Sequence, residues 1–170
     1  MKNFEFICSC CGEVHQGIPS FGTDAPVYFY HVPENEREER TFLTSDTCVI
    51  DDKDFFVKGC LEMPVLGYDE TFSFNAWVSL SETKFFKFRD LLDGEEREHH
   101  EPMVGWFSTW IYPFEETERL IAKIHFRNDG IRPLIELQPT EHPLAIAQMN
   151  GIKREQIQVI YEYYVHGEGK

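Results

Sequence analysis

Three runs of alternating side chains, joined by very short polar segments, constrain this chain more than any other feature of its sequence. In "FFVKGCLEMPV" (55–65), Val57, Gly59, Leu61 and Met63 alternate with Lys58, Cys60 and Glu62, so one face is apolar and the other mainly polar. The run before it, "TFLTSDTCVID" (41–51), is separated only by "DKD", which predicts a hairpin. The run after it, "TFSFNAWVSLS" (71–81), places Phe72, Phe74, Ala76, Val78 and Leu80 at period two. Connections this short leave no room for a crossover helix, so neighbouring strands should run antiparallel.

Helical signals follow. Ser81 is suited to cap "ETKFFKFRDLLDG", with Phe85, Phe88, Leu91 and Leu92 on one stripe and Gly94 as the expected left-handed stop. The charged "EEREHHEP" (95–102) reads as a solvated loop. It precedes three further strand-like runs, "MVGWFSTWIY", "RLIAKIHFR" and "RPLIELQP". Two helices are expected at the end, Thr140 to Met149 and Lys153 to about Val165, the last docking through Ile157, Ile160, Tyr161 and Tyr164. Nearer the start, "GIPSFGTDAP" is turn-like, "VYFYHV" reads as extended, and Pro33 opens a short helix or turn at "ENEREER". No repeat, linker or G-x-G-x-x-G loop interrupts the pattern. The expectation is one α+β domain over residues 1–170. Its parts are a largely antiparallel sheet, one mid-chain helix, two C-terminal helices and an N-terminal Cys-rich knuckle at about 7–17.

Composition bounds the function classes. Hydrophobic residues are 42% and aromatics 15%, enough apolar surface to offset chain entropy, so the chain folds. Thirty acidic against sixteen basic side chains give a formal charge of −14, which repels phosphate backbones and anionic lipid and favours a basic protein partner or a metal ion. Nucleic acid and membranes are therefore poor partners. No apolar run approaches the ~18 residues of a membrane span, and "MKNFEF" has no signal-like core, so a cytoplasmic protein is expected. Five cysteines, an odd number, then argue against a disulfide framework and for metal binding or burial.

The cysteines concentrate in "ICSCCGEVHQG" (7–17), where Cys8, Cys11 and Gly12 form C-x-x-C-G. Two intervening residues let both thiolates meet one ion, and the glycine relieves the turn. This is the spacing of a zinc knuckle, and a structural zinc site needs two more ligands. The chain offers His15 from the same loop and Cys48 and Cys60 from the first hairpin, with Cys10 outside the spacing. If Asp51 pairs with Phe55, the sulfurs of Cys48 and Cys60 share one face about two residues out of alignment. The competing reading is a buried turn whose cysteines pack like small hydrophobes. Thiol redox chemistry has less support, because no helix start follows Cys8. His99 and His100 lie among glutamates in the charged loop. Asp46, Asp51 and Asp52 flank Cys48 at turn and strand-end positions, and His142 in "PTEHPLA" sits where a helix begins, as a loop or cap contact.

The chain resembles a family of bacterial proteins known as domain of unknown function 2199. The likeness rests on "CSCCGEVHQGIP", "DAPVYFYHVPENEREER", "LTSDTCVID", "FFVKGCLEMPVLG", "WVSLSE" and "RPLIELQPTEHPLA". It implies that Cys8, Cys11, Gly12, His15, Cys48, Cys60 and His142 stand in recurrent blocks, and it implies no activity or catalytic residue. Two functions from different classes remain. One is a non-enzymatic binding or regulatory module, held by structural zinc, whose acidic surface meets a protein partner. The other is a metal-dependent enzyme using a water on an incompletely ligated ion, and coordination number separates the two.

Overall fold

A computed structural model of the chain describes residues 2–167. Its centre is a long hairpin, β6 (Asp54–Pro64) with β7 (Thr71–Leu80), paired without interruption from Phe55↔Leu80 to Pro64↔Thr71. Three shorter strands continue the meander: β8 (Met103–Phe107), β9 (Ile121–His125) and β10 (Leu134–Leu137), each antiparallel to the strand before it. Direction reverses at every step, so the fifth strand must run the same way as the first. β10 accordingly pairs with β6 in parallel, Leu134 against Cys60 and Ile135 against Leu61, and closes a five-stranded barrel.

The barrel interior is filled by the apolar faces legible in the sequence. Val57, Leu61 and Met63 meet Phe72, Phe74 and Val78, all fully buried. Each such side chain contributes roughly 1.5–3 kcal/mol relative to exposure. Closure brings β8 hard against β7: a Cβ on Gly105 would lie 1.9 Å from the Ser79 carbonyl oxygen. Glycine is required there by the approach of two backbones.

Further strands extend the barrel. β3 (Ser20–Gly22) pairs in parallel with the first half of β7, while β5 (Thr47–Ile50) and β4 (Thr41–Leu43) extend outward from β6. The fold is thus mixed α+β, but its sheet is a closed barrel carrying two parallel pairings, not simply an antiparallel sheet. The run "TFLTSDTCVID" is two strands, broken at Thr44–Asp46 where Thr44 N–H donates to Thr47 O at 2.8 Å.

Among the described residues five α-helices stand where three were expected beside a short helix or turn after Pro33: α1 (Val27–His31), α2 (Arg37–Arg40), which is that short helix, α3 (Glu82–Leu91), α4 (Pro143–Asn150) and α5 (Arg154–His166). The addition of α1 corrects the extended reading of "VYFYHV". Val27 N–H is taken by Ser108 O at 2.9 Å, the Tyr28 ring stacks on Phe56 at 5.7 Å, and Phe29 and Val32 pack on a second apolar cluster formed by Cys48, Ile50, Phe56 and Trp77. Burial against that cluster overrides the β preference of its aromatic and branched residues. Among the described residues no helix is long and apolar enough to cross a membrane.

The start of α3 follows expectation, with Ser81 Oγ accepting from Lys84 N–H at 3.4 Å. Its end does not. The helix stops at Leu91 without a left-handed Gly94, and its open carbonyls are met by Arg97, which is 2% exposed. The Arg97 guanidinium donates to Leu91 O, Leu92 O, Arg127 O and Ile131 O. The charged loop is therefore pinned at its centre by a buried cation, although His99 and Glu98 around it are exposed.

Candidate metal centre

The N-terminal segment forms a separate two-stranded hairpin, β1 (Glu5–Ile7) with β2 (Val14–Gln16). Its inward side chains explain its position: Phe4 and Phe6 are buried in the main core, and Phe6 packs edge-on against Tyr161 of α5 at 5.1 Å. The cysteines occupy the connecting turn. Gly12 N–H donates to Cys8 O and Cys8 N–H to Glu13 O, both at 2.9 Å, and Gly12 has φ +74°. That left-handed angle is what glycine supplies at this position.

The turn brings Cys8 and Cys11 together as the spacing requires, with Cys8 buried and Cys11 exposed. His15 reaches Cys11 from β2, its Nε2 lying 3.6 Å from Cys11 Sγ. Its ring rests on Phe6 and Tyr161, and the Tyr161 hydroxyl is 3.1 Å from His15 Nδ1. From the far end of the chain comes His166, the last residue of α5, with Nε2 3.3 Å from Cys8 Sγ. Cys8, Cys11 and His166 have donor atoms within 4.8 Å of one another. So do Cys11, Glu13 and His15, and so do Cys8, Cys10 and Glu162. These groups lie close enough to share a metal ion.

Crowding among the sulfurs marks the site electrostatically. At Cys11 the Glu13 backbone N–H pulls the thiol pKa down, but desolvation and the adjacent Cys8 sulfur outweigh it and leave the thiol above its ordinary value. Desolvation, with Cys8 and Glu162 adding to it, likewise raises Cys10. A cation between the sulfurs would relieve both effects.

Sequence reasoning missed His166 and Glu162. The signal was a spacing: Gln158, Glu162 and His166 recur every four residues and so share one face of α5. That face lies along the knuckle. Gln158 Nε2 donates to Ile7 O at 2.9 Å, Ser9 N–H donates to Glu162 Oε1 at 2.6 Å, and His166 meets Cys8.

The structure does not bring Cys48 or Cys60 to this cluster. Cys8 packs with the barrel core, whereas Cys48 lies fully buried in the second cluster beside Trp77, on the opposite face of β6. The register Ile50↔Asp54 replaces the expected Asp51–Phe55 pairing, and Cys48 sits opposite Phe56. Four residues of strand then separate it from Cys60, roughly 13 Å. Burial pushes the Cys48 thiol up to about 12. Cys60 is half-buried on the polar face of β6, its thiol raised by burial and by Glu62. Asp51 instead forms a two-pronged ion pair with Arg40, and Asp46 pairs with Arg132, each at 2.8 Å.

His142 caps α4. Its Nδ1 accepts from Leu144 N–H at 3.1 Å, which leaves the proton on Nε2, donated to Glu115 O at 2.7 Å. Both ring nitrogens are used, as a cap contact and not as a ligand.

A cavity of 780 Å³ opens elsewhere, between α1 and the ends of β5 to β8, with Tyr28, Phe56, Trp106, Arg40 and Arg119 among its lining. That volume is within the usual ~300–1,000 Å³ of ligand pockets. None of the clustered cysteines or histidines lines it. Tyr28 and Trp106 are 40% and 54% exposed at its mouth, and Trp110 nearby is 56% exposed.

No curated protein and no solved structure matches the chain. A model of uncharacterized proteins conserved in bacteria, DUF2199, does match, over residues 7–152, taking in the knuckle, the whole barrel and α4 while leaving α5 outside. With the family model spanning most of its length, the chain belongs to the DUF2199 family.

Proposed function

We propose that this protein is a non-enzymatic binding module for a protein partner, with a structural zinc ion at Cys8 and Cys11 holding its N-terminal hairpin. The observation that carries this reading is spatial separation. The sulfur cluster lies at the junction of hairpin and α5, while the large cavity with its exposed aromatics lies between α1 and the barrel. A catalytic ion needs an open coordination position facing a substrate pocket, and this one faces none of the cavity's lining. The cavity has the composition of an interface centre, in which Trp, Tyr and Arg carry most of the binding energy. The lining sets Arg40, Lys53 and Arg119 beside Asp54 and Glu118, which favours a partner whose rim offers charges of both signs around an apolar side chain that fills the cavity.

The test places a photo-crosslinking residue at Trp106 and, as a control, at exposed Val159 on α5, in cells of the source bacterium. A single adduct formed at 106 and not at 159, competed by excess unlabelled protein and lost in Tyr28→Ala, is the expected result. Equal, non-competed labelling at both positions would remove the binding-face reading.

A further inference from the structure

We infer that Cys8, Cys11, His15 and His166 form one four-coordinate zinc site that ties the N-terminal knuckle to the last turn of α5. This rests on the structural-zinc reading above and names the complete ligand set, including a residue 158 positions away from its neighbour in space. For zinc–sulfur and zinc–nitrogen bonds of about 2.3 and 2.0–2.1 Å, a tetrahedron has sulfur-to-nitrogen edges of about 3.6 Å. Two of the four such pairs stand at 3.6 Å (Cys11 and His15) and 3.3 Å (Cys8 and His166). Cys8, Cys11 and His166 have their donors within 4.8 Å of one another, and His15, beside Cys11, is the fourth donor, closing on the ion as it binds.

The surroundings select this set over the other donors present. His15 has its Nδ1 held by the Tyr161 hydroxyl, which orients Nε2 toward Cys11, the outer support that zinc-bound histidines carry. His166 arrives on a helix face already registered to the knuckle by Gln158 and Glu162. Glu162 already has one oxygen in use: its Oε1 accepts from both Ser9 N–H at 2.6 Å and Gln158 Nε2 at 2.9 Å. Cys10 would make a third thiolate and leave the site at −1 in a chain that is already strongly acidic, whereas two thiolates, two neutral imidazoles and Zn²⁺ sum to zero. Three of the four ligands fall within the span matched by the family model, and His166 falls beyond it.

The consequence is a tie between residues 8 and 166 that closes nearly the whole chain into one loop. Metal occupancy then controls whether the end of α5 stays docked. Loss of zinc frees the hairpin and the last helical turn together, without opening the barrel, whose closure does not involve them.

The experiment is zinc titration against a chromophoric chelator on wild-type, His15→Ala, His166→Ala, Tyr161→Phe and Cys10→Ser proteins, with X-ray absorption on the zinc-loaded wild type. One equivalent of zinc with two sulfur and two nitrogen neighbours is expected. Each histidine variant should weaken binding by more than about 100-fold, Tyr161→Phe by about 10-fold, and Cys10→Ser not at all. Far-ultraviolet circular dichroism on each variant shows that the barrel and helices persist, so weakened binding reports ligation. Zinc bound through Cys8 and Cys11 but indifferent to His166→Ala, or three sulfur neighbours, overturns this ligand set and leaves structural zinc standing. Failure of the wild type to retain zinc overturns both.

Discussion

Replacing Arg97 tests whether one buried cation holds the second half of the barrel's longest connection, the segment of the β7–β8 excursion that follows α3. Arg97 donates to four backbone carbonyls, two of them at the C-terminal end of α3 and two, Arg127 O and Ile131 O, in the β9–β10 connection. A net value of about 1 kcal/mol per hydrogen bond gives a loss of about 4 kcal/mol on Arg97→Met. That variant keeps the volume and removes every donor. The figure is within the ~3–5 kcal/mol usual when one partner of a buried polar pair is deleted. For a chain of this length each kcal/mol moves the midpoint by about 2–4 °C, so Tm should fall by about 8–16 °C. Arg97→Lys should recover only part of this, because one ammonium cannot reach carbonyls arrayed around a planar fork. Calorimetric or circular-dichroism melts of the three proteins read the result directly. An Arg97→Met protein melting within about 3 °C of wild type, under 1.5 kcal/mol by the same scale, would show that the carbonyls find water, and the loop would then be solvated as its composition suggested.

Thiol reactivity separates the cysteines by environment. At pH 8 a thiol at about 12 is ionised roughly a thousandfold less than one at its ordinary 9.0, so Cys48 should resist iodoacetamide in the native protein. Exposed Cys10 and Cys11 should be labelled first, and peptide mass spectrometry with zinc present should show Cys11 protected and Cys10 still open. Rapid native labelling of Cys48 would refute its placement. At Asp46, burial raises the carboxyl pKa, but the Arg132 guanidinium and the Ser45 hydroxyl outweigh it and hold the group below its usual value. A depressed native pKa contributes stability that is present above the unfolded value and lost as pH falls through the native one. Asp46→Asn should therefore lower stability at neutral pH and flatten its decline on acidification. An acid limb as steep as that of wild type would exclude this contribution.

The parts of the fold legible in the sequence are those in which one local pattern had one solution. Alternation over Val57–Met63 and Phe72–Leu80 fixes which faces are buried, and both strands bury those faces. Barrel closure was not legible, because the five-step meander encodes direction but not curvature. Its clearest local sign, the 1.9 Å approach at Gly105, is visible only once β7 and β8 are paired. α1 escaped for the converse reason: "VYFYH" has strand-like residues whose conformation is set by Trp77, Phe56 and Cys48, about 20 to 50 positions away in sequence.

The candidate site divides along the same line. Cys8, Cys11 and His15 are local, joined by a turn of known geometry, and the approach of Cys11 to Cys8 on one side and to His15 on the other follows from spacing and Gly12. The choice of remaining ligands depended on a hairpin register, and a two-residue difference there keeps Cys48 and Cys60 on one face while doubling their offset from two residues to four. His166 could not be chosen by spacing at all. Its four-residue periodicity with Glu162 and Gln158 announces a helix face with a polar task, but the task is set by where α5 lands. Ile157 and Ile160, fully buried against the barrel, settle that landing. The candidate cluster thus rests on ordinary apolar docking: the core seats α5, and its seated polar face brings His166 to Cys8.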